Sequence, residues 1–174
     1  DTIRALGHPI VETPHLDQLV ARGSVFTRAV AAYPICHASR AELLTGCTLF
    51  RAYPQYPGGR IDPALATLAG TFQAAGYRTC YTGKWHNDGH PKQRGYTIIS
   101  GLFSSGGAPG PRPPATDTQG HPVTGYTGWT FKTNDDRVEL AKGVGLTPIT
   151  SEHIADGAIA FLRQKHDQPF LLHV

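Results

Sequence analysis

Residues 62–86 limit the fold most tightly, because they join a helix to a strand with almost no chain between them. Asp62 is a capping residue type, and Pro63 suits the first position of a helix. Leu65, Leu68, Ala69 and Phe72 recur at helical spacing, which predicts a helix to about Ala75, stopped by Gly76. Residues 77–82, Y-R-T-C-Y-T, predict a strand directly afterwards. A helix feeding a strand in this way implies an α/β fold: a largely parallel, mixed sheet flanked by helices. Gly83, Lys84, Trp85 and His86 then fall just past the strand's C-terminal end, where open α/β sheets gather their chemistry.

Other segments fit the same plan. Thr13 and Pro14 open a helix whose Leu16, Leu19 and Val20 share a face and which Gly23 stops. Residues 24–32 read as a strand or extended segment, and 50–63 as loop. Residues 151–166 form the strongest helix signal, capped by Thr150 or Ser151, with Ile154, Ala158, Phe161 and Leu162 as its apolar stripe. Residues 170–174 are almost continuously apolar and predict a buried central strand. Residues 126–132 and 137–140 pair as a hairpin around 133–136, where turn chemistry explains Asp135-Asp136 more simply than a metal pair. Residues 87–130 read as a Gly/Pro-rich excursion, with six glycines and five prolines between 101 and 125, forming either an active-site wall or a linker.

Composition narrows the function classes. At 174 residues with 40% hydrophobic and 17% charged content, the chain can bury a core. A net charge of +3, with the basic residues scattered, argues against a nucleic-acid partner. No apolar run reaches membrane-spanning length, so no membrane partner is expected. Cys36, Cys47 and Cys80 do not make a disulfide framework; Cys47 and Cys80 are either paired or buried as thiols. Asp1 opens in mid-sequence and Val174 closes an unfinished strand, so both ends read as cut. His8 and His15 lack partners in sequence and read as surface or packing residues.

The chemistry concentrates at residues 33–46, Y-P-I-C-H-A-S-R-A-E-L-L-T-G. Pro34 restricts the approach, Ser39 suits the cap of a helix starting near Arg40, and Gly46 suits its stop. Cys36 is then expected on the turn into a helix N-terminus, where free amides and a positive dipole receive an oxyanion. On its own, a cysteine is more often a small buried hydrophobe.

The pattern C-x-A-S-R followed four residues later by T-G resembles the sulfatase signature C-x-P-S-R-x-x-x-x-T-G, departing from it at Ala38. Residues 76–86, G-Y-R-T-C-Y-T-G-K-W-H, resemble the second sulfatase signature, G-Y-x-T-x-x-x-G-K-W-H, over its whole length. Two motifs in the right order are far more specific than one. The resemblance implies the N-terminal part of an alkaline-phosphatase-like sulfatase domain, incomplete at both ends. It implies that a formylglycine-generating enzyme oxidises Cys36 to formylglycine, the nucleophile on a small-molecule or carbohydrate sulfate ester. It also implies that Arg40 holds that nucleophile, that Lys84 binds sulfuryl oxygens and that His86 bonds the formylglycine hydroxyl. On an extended segment Lys84 and His86 share one face, with Trp85 turned into packing. Asn87 and Asp88 follow as candidate substrate contacts, and a turn explains the pair equally well. The family binds calcium, and of its ligands only position 36 matches here; the acidic ligands would lie upstream of Asp1 and beyond Val174, and His173 matches poorly. A periplasmic or secreted location is favoured by the resemblance. The alternatives are a phosphonate or phosphate monoester hydrolase of the same superfamily, or a non-catalytic carbohydrate-binding relative with an unconverted Cys36.

Overall fold

The computed structural model describes residues 2–57, 59–104 and 116–174. The chain divides into two compact units, Asp1–Ala31 and Ala32–Val174. No helix among the described residues is long and apolar enough to cross a membrane.

The first unit holds the short 3-10 turn Arg4–Leu6 and helix α1, Pro14–Arg22. Pro14 opens α1 as expected, but Thr13 does not cap it in the ordinary way. Its hydroxyl donates to Asp17 Oδ1 (2.9 Å) and accepts the Arg4 N–H (2.9 Å), tying the 3-10 turn to the helix. The expected strand at 24–32 does not form; the chain there is irregular, with a turn at Thr27-Arg28. His8 closes a turn, its Nδ1 accepting the N–H groups of Ile10 and Val11.

The second unit is built on a five-stranded mixed sheet, ordered β4-β3-β2-β1-β5. The strands are β1 Arg78–Lys84, β2 Ile98–Ser104, β3 Gly125–Lys132, β4 Val144–Leu146 and β5 Phe170–His173. β1 runs parallel to β2 and β5, while β2–β3 and β3–β4 are antiparallel. Helices α2 Cys36–Thr45, α3 Leu49–Ala52, α4 Leu68–Ala74 and α5 Thr150–Leu162 pack around it. Alternation along β1 sends successive side chains to opposite faces. The Tyr81 hydroxyl meets Arg40 of α2, and the next residue, Thr82, donates to the Ile154 carbonyl of α5 (3.1 Å). The core on the α2 face contains Ala38, Leu44, Tyr81, Trp85, Tyr96 and Leu102, all at most 2% exposed.

Several sequence expectations need correction. The helix read from Asp62 begins at Leu68, because the Thr67 hydroxyl accepts the Gly70 N–H (3.2 Å) and is the true cap. Asp62 instead accepts the Ala64 N–H in a turn (2.9 Å). The loop expected from residue 50 starts with α3, whose Leu49 N–H is held by Glu42 Oε1 (2.9 Å). Neither Thr150 nor Ser151 caps α5; Ile149 does, and Thr150 Oγ1 accepts from Thr147 N–H (3.0 Å). α5 ends at Leu162, with His166 packed on Phe161 and Phe170. Within 87–130, β2 and β3 belong to the sheet, and residues 105–115 of the excursion lie outside the described residues. β5 is an edge strand of the described sheet rather than a central one, pairing with β1 alone. The turn at 133–136 forms as expected: Thr133 N–H donates to the Arg137 carbonyl, and Asp136 pairs with Lys132 (2.7 Å). Cys47 and Cys80 are free thiols; burial pushes the Cys80 thiol up to about 12.

α5 reaches the sheet through glycine. A Cβ on Gly157 would stand 2.7 Å from the Ser100 carbonyl oxygen and 3.0 Å from Gly101 Cα. Alanine normally gains up to about 1 kcal/mol over glycine inside a helix. Here Gly157→Ala is expected to destabilise the full-length protein instead, by about 1–3 kcal/mol, because neither backbone can retreat. Urea unfolding checks this; a variant as stable as wild type would show that α5 can lift off β2.

Candidate active site

The site is assembled where β1 ends and α2 begins. α2 starts at Cys36 itself, earlier than expected, with Ile35 in extended conformation as its N-cap. The first i→i−4 bond runs from Ser39 N–H to the Ile35 carbonyl (2.9 Å), so the amides of residues 36–38 precede the helical ladder. Ser39 therefore lies inside the first turn, its hydroxyl near the Cys36 carbonyl (3.4 Å), and caps nothing. Gly46 closes α2 in the left-handed conformation (φ 64°), as read. Cys36 is exposed on this N-terminus.

Arg40, one turn along α2, crosses to β1. Its Nη1 donates to the Lys84 carbonyl at 2.7 Å and to the Tyr81 hydroxyl at 3.3 Å. The Tyr81 hydroxyl donates to the same carbonyl. Lys84 ends β1. Its Nζ donates to the Tyr126 hydroxyl (2.9 Å) and lies 4.6 Å and 5.2 Å from the ring centres of Tyr126 and Trp129. Both rings attract a cation through their faces.

His86 meets Trp129 edge to face, 5.1 Å between ring centres, and lies 5.8 Å from His37 of α2. Its Nδ1 is buried and has no partner among the described residues. Burial lowers its pKa, and Lys84, His37 and Arg40 lower it further. The imidazole is neutral near pH 7 because its ordinary value, about 6.5, is already below that. His86 (φ 48°) and Tyr126 (φ 47°) both hold a positive φ, a strained conformation that concentrates at functional sites.

The four residues read as catalytic are thus brought to one sheet edge. Lys84 and His86 both reach Trp129, although the chain at His86 is not extended. Asn87 does not join them. Its Nδ2 donates to the Trp85 carbonyl (3.4 Å), and the side chain lines a separate cavity with His90, Lys132 and Asp136. Asp88 is structural: it accepts from Tyr53 hydroxyl (3.1 Å) and Ile61 N–H (3.2 Å) and pairs with Arg94 (2.5 Å). Burial, then the Asp88 charge, push the Tyr53 hydroxyl up to about 12.

Sequence reasoning missed Tyr126, Trp129 and His37. Tyr126 and Trp129 stand three apart in a segment read as a hairpin arm, and nothing local marks them as facing Lys84. His37 occupies an unspecified position of the cysteine signature, stacked on Tyr56 at 5.4 Å. No group of three or more His, Cys, Asp or Glu side chains suited to a metal ion occurs among the described residues. The acidic oxygens that calcium requires are not gathered around position 36, so these residues alone do not fit the ion.

The Sulfatase family model matches residues 1–174. The chain is 42% identical over 99 residues to the ulvan-active sulfatase of Formosa agariphila, covering 51% of this chain and 18% of that protein. It is 41% identical over 87 residues to human arylsulfatase A, covering 46% of this chain and 17% of that one. It therefore spans under a fifth of these curated relatives in each match. A Bacteroides thetaiotaomicron protein, solved in connection with the metabolism of multiple glycosaminoglycans, superposes with a TM-score of 0.66. That match covers 98% of this chain and 46% of the other at 21% identity, and it speaks to the fold alone. With the family matched from end to end and its two signature segments meeting at one sheet edge, the chain belongs to the sulfatase family of the alkaline-phosphatase-like superfamily.

Proposed function

We propose that the protein carrying this chain hydrolyses a sulfate ester, with position 36 as nucleophile after a formylglycine-generating enzyme has oxidised Cys36. Residues 1–174 would form the N-terminal portion of its catalytic domain. The observation that carries this reading is the 2.7 Å bond from Arg40 to the Lys84 carbonyl, which joins the two signatures through residues 44 apart in sequence. The names of the matched relatives favour sulfate over phosphate as the tetrahedral anion.

Cleaving such an ester needs an in-line nucleophile, neutralisation of the sulfuryl oxygens and a way for sulfate to leave. Hydrated formylglycine supplies the first and last, one hydroxyl to attack sulfur and one to expel sulfate as the aldehyde returns. The chain's own residues supply the charge neutralisation. Lys84 donates one hydrogen to Tyr126, and its other two are available to an anion seated at the start of α2. Arg40 is locked behind it and adds a second positive charge. Neutral His86 can accept a hydrogen bond from a hydroxyl at position 36, which a protonated imidazole cannot. Calcium, which sulfatases generally use, would take position 36 as one ligand.

Mass spectrometry of the peptide carrying position 36, from protein made with the converting enzyme, is the decisive measurement. A mass below that of the thiol is expected, and full sulfatase turnover with an intact thiol sinks the mechanism. Cys36→Ser should transfer a single sulfate slowly and keep it on the introduced serine, which has no second hydroxyl to release it. Cys36→Ala should transfer none. Sustained turnover by Cys36→Ser would show that the second hydroxyl is dispensable.

Lys84→Gln tests the charge arrangement. Removing a preorganised charge is expected to lower kcat/KM on the order of a hundredfold. The same change removes a cation that depresses the His86 pKa, so the midpoint should rise. Neutral His86 would then be lost at a higher pH on acidification. A histidine NMR titration of wild type and variant reads the shift; an unmoved midpoint would mean that Lys84 does not act on His86.

A further inference from the structure

We infer that Tyr126 and Trp129 of β3 are positioning residues for the reaction, fixing the Lys84 ammonium at the strand end while leaving its charge and two of its hydrogens to an anion. This deepens the sulfatase reading and rests on it. Lys84 is the last residue of β1, and a flexible four-carbon stem separates its charge from the backbone. An anion that binds a free lysine must first still that stem, at a cost in entropy. A stem already stilled spares the anion that cost.

The contacts around Lys84 have this effect. Nζ donates to the Tyr126 hydroxyl at 2.9 Å. It lies 4.6 Å from the Tyr126 ring centre and 5.2 Å from that of Trp129. Both distances are inside the roughly 6 Å over which a ring face attracts a cation. The two rings lie tilted against each other, 4.6 Å between centres. They rest on Phe103, the residue paired with Lys84 on β2, which is 3% exposed. Phe103 packs in turn on the buried Phe131. The rings are therefore anchored to the core, and the ammonium is anchored to the rings. Both partners are uncharged, so the cation is held without being neutralised. Lys132 and Lys142 differ in this respect, paired with Asp136 at 2.7 Å and with Glu139 at 3.0 Å. A carboxylate at Lys84 would also fix the stem, but it would cancel the charge that sulfuryl oxygens need.

The backbone of β3 is bent to make this arrangement. Residues 126 and 129 are three apart, so strict strand alternation would send their side chains to opposite faces. Tyr126 instead holds φ 47°, and the register of β3 with β4 shifts between Gly125 and Thr130. The break in alternation lets both rings meet one cation. A positive φ is a strained choice for tyrosine and persists only where the surroundings over-determine it. Burial alone does not account for it here, since Tyr126 is 43% exposed.

The test uses the full-length protein, with turnover of 4-nitrophenyl sulfate and calorimetric binding of inorganic sulfate as separate readouts. Tyr126→Phe removes the hydroxyl and keeps the ring. Trp129→Leu removes a ring face, and Trp129→Phe restores one. Trp129 also meets His86, so Tyr126→Phe is the cleaner variant. Tyr126→Phe and Trp129→Leu are each expected to lower kcat/KM by roughly tenfold and to weaken sulfate binding, with melting temperatures close to wild type. Trp129→Phe should recover most of the loss. In a Lys84→Gln background the same changes should alter kcat/KM by less than about twofold, because the residue they act through is gone. Wild-type kcat/KM and sulfate affinity in both Tyr126→Phe and Trp129→Leu overturn the proposal. So does a loss that persists in full in the Lys84→Gln background, which would mark the rings as structural. A wild-type protein that binds sulfate but turns over no ester sinks the sulfatase reading instead, and weaker sulfate binding by the variants would still uphold the positioning role. A wild-type protein that neither binds sulfate nor turns over the ester overturns both.

Discussion

Arg40 reaching across to the Lys84 carbonyl is the contact on which the site depends. A strand that leaves its sheet exposes carbonyls that no neighbouring strand can pair, and leaving them unpaired inside the protein is costly. β1 leaves at Lys84, and its last carbonyl accepts from both a guanidinium and the Tyr81 hydroxyl. Charge-assisted bonds of this kind contribute about 1.5–3 kcal/mol each. Arginine is suited to the task because its planar fork can reach the Tyr81 hydroxyl and the carbonyl from one nitrogen and stays charged at any working pH. The same charge that completes the backbone's hydrogen bonding also raises the potential where an anion would sit. Structure and function therefore draw on one interaction here.

The polar groups around this contact divide sharply into satisfied and unsatisfied ones. Asp88 is saturated by Tyr53, Ile61 and Arg94, and it braces the loop after β1 against the core. Its neighbours are left open: the buried unpartnered atoms include His86 Nδ1, Asn87 Oδ1 and His90 Nε2, all within five residues of one another. Buried polar groups are normally paired, so such a concentration in one short turn is unusual. Backbone strain follows the same map, with positive φ at His86 and Tyr126, both in contact with Trp129.

Much of this was legible in the residues, and the failures have physical causes. The strand at 77–82, the long helix near 150 and the stops at Gly46 and Gly76 depend on local rules of period, capping and glycine freedom, and they formed close to where they were read. The starts of helices did not, because several residues compete to cap: Thr67 prevailed over Asp62, and Ile35 over Ser39. β2 was hidden because Gly101 interrupts its β-pattern; at φ 68° this glycine is there to receive α5, a tertiary demand that no local rule signals. Cys36, Arg40, Lys84 and His86 were visible through their motifs. Tyr126, Trp129 and His37 were not, because their meaning lies in pairing across the sheet edge. Asp88 and Asn87 are adjacent and equally polar, and only their partners show that one braces the loop while the other faces a cavity.

The strain at His86 has a geometric purpose. Lys84 pairs in register with Phe103, whose ring is tilted against Phe131, and Phe131 meets His153 of α5; the Lys84 side chain therefore stands on the α5 face. Cys36 arrives from the α2 face. Trp85 turns to the α2 side and fills the core with Tyr81 and Tyr96. Continued strand alternation would return His86 to the α5 face, beside Lys84 and away from α2. The positive φ bends the chain over the sheet edge instead, so one imidazole faces both Trp129 from β3 and His37 from the first turn of α2. A residue that must serve two faces of a sheet cannot remain in strand geometry. The order of about 1–3 kcal/mol that such a conformation costs is the consequence of bringing Cys36 and Lys84 to opposite faces of one strand end.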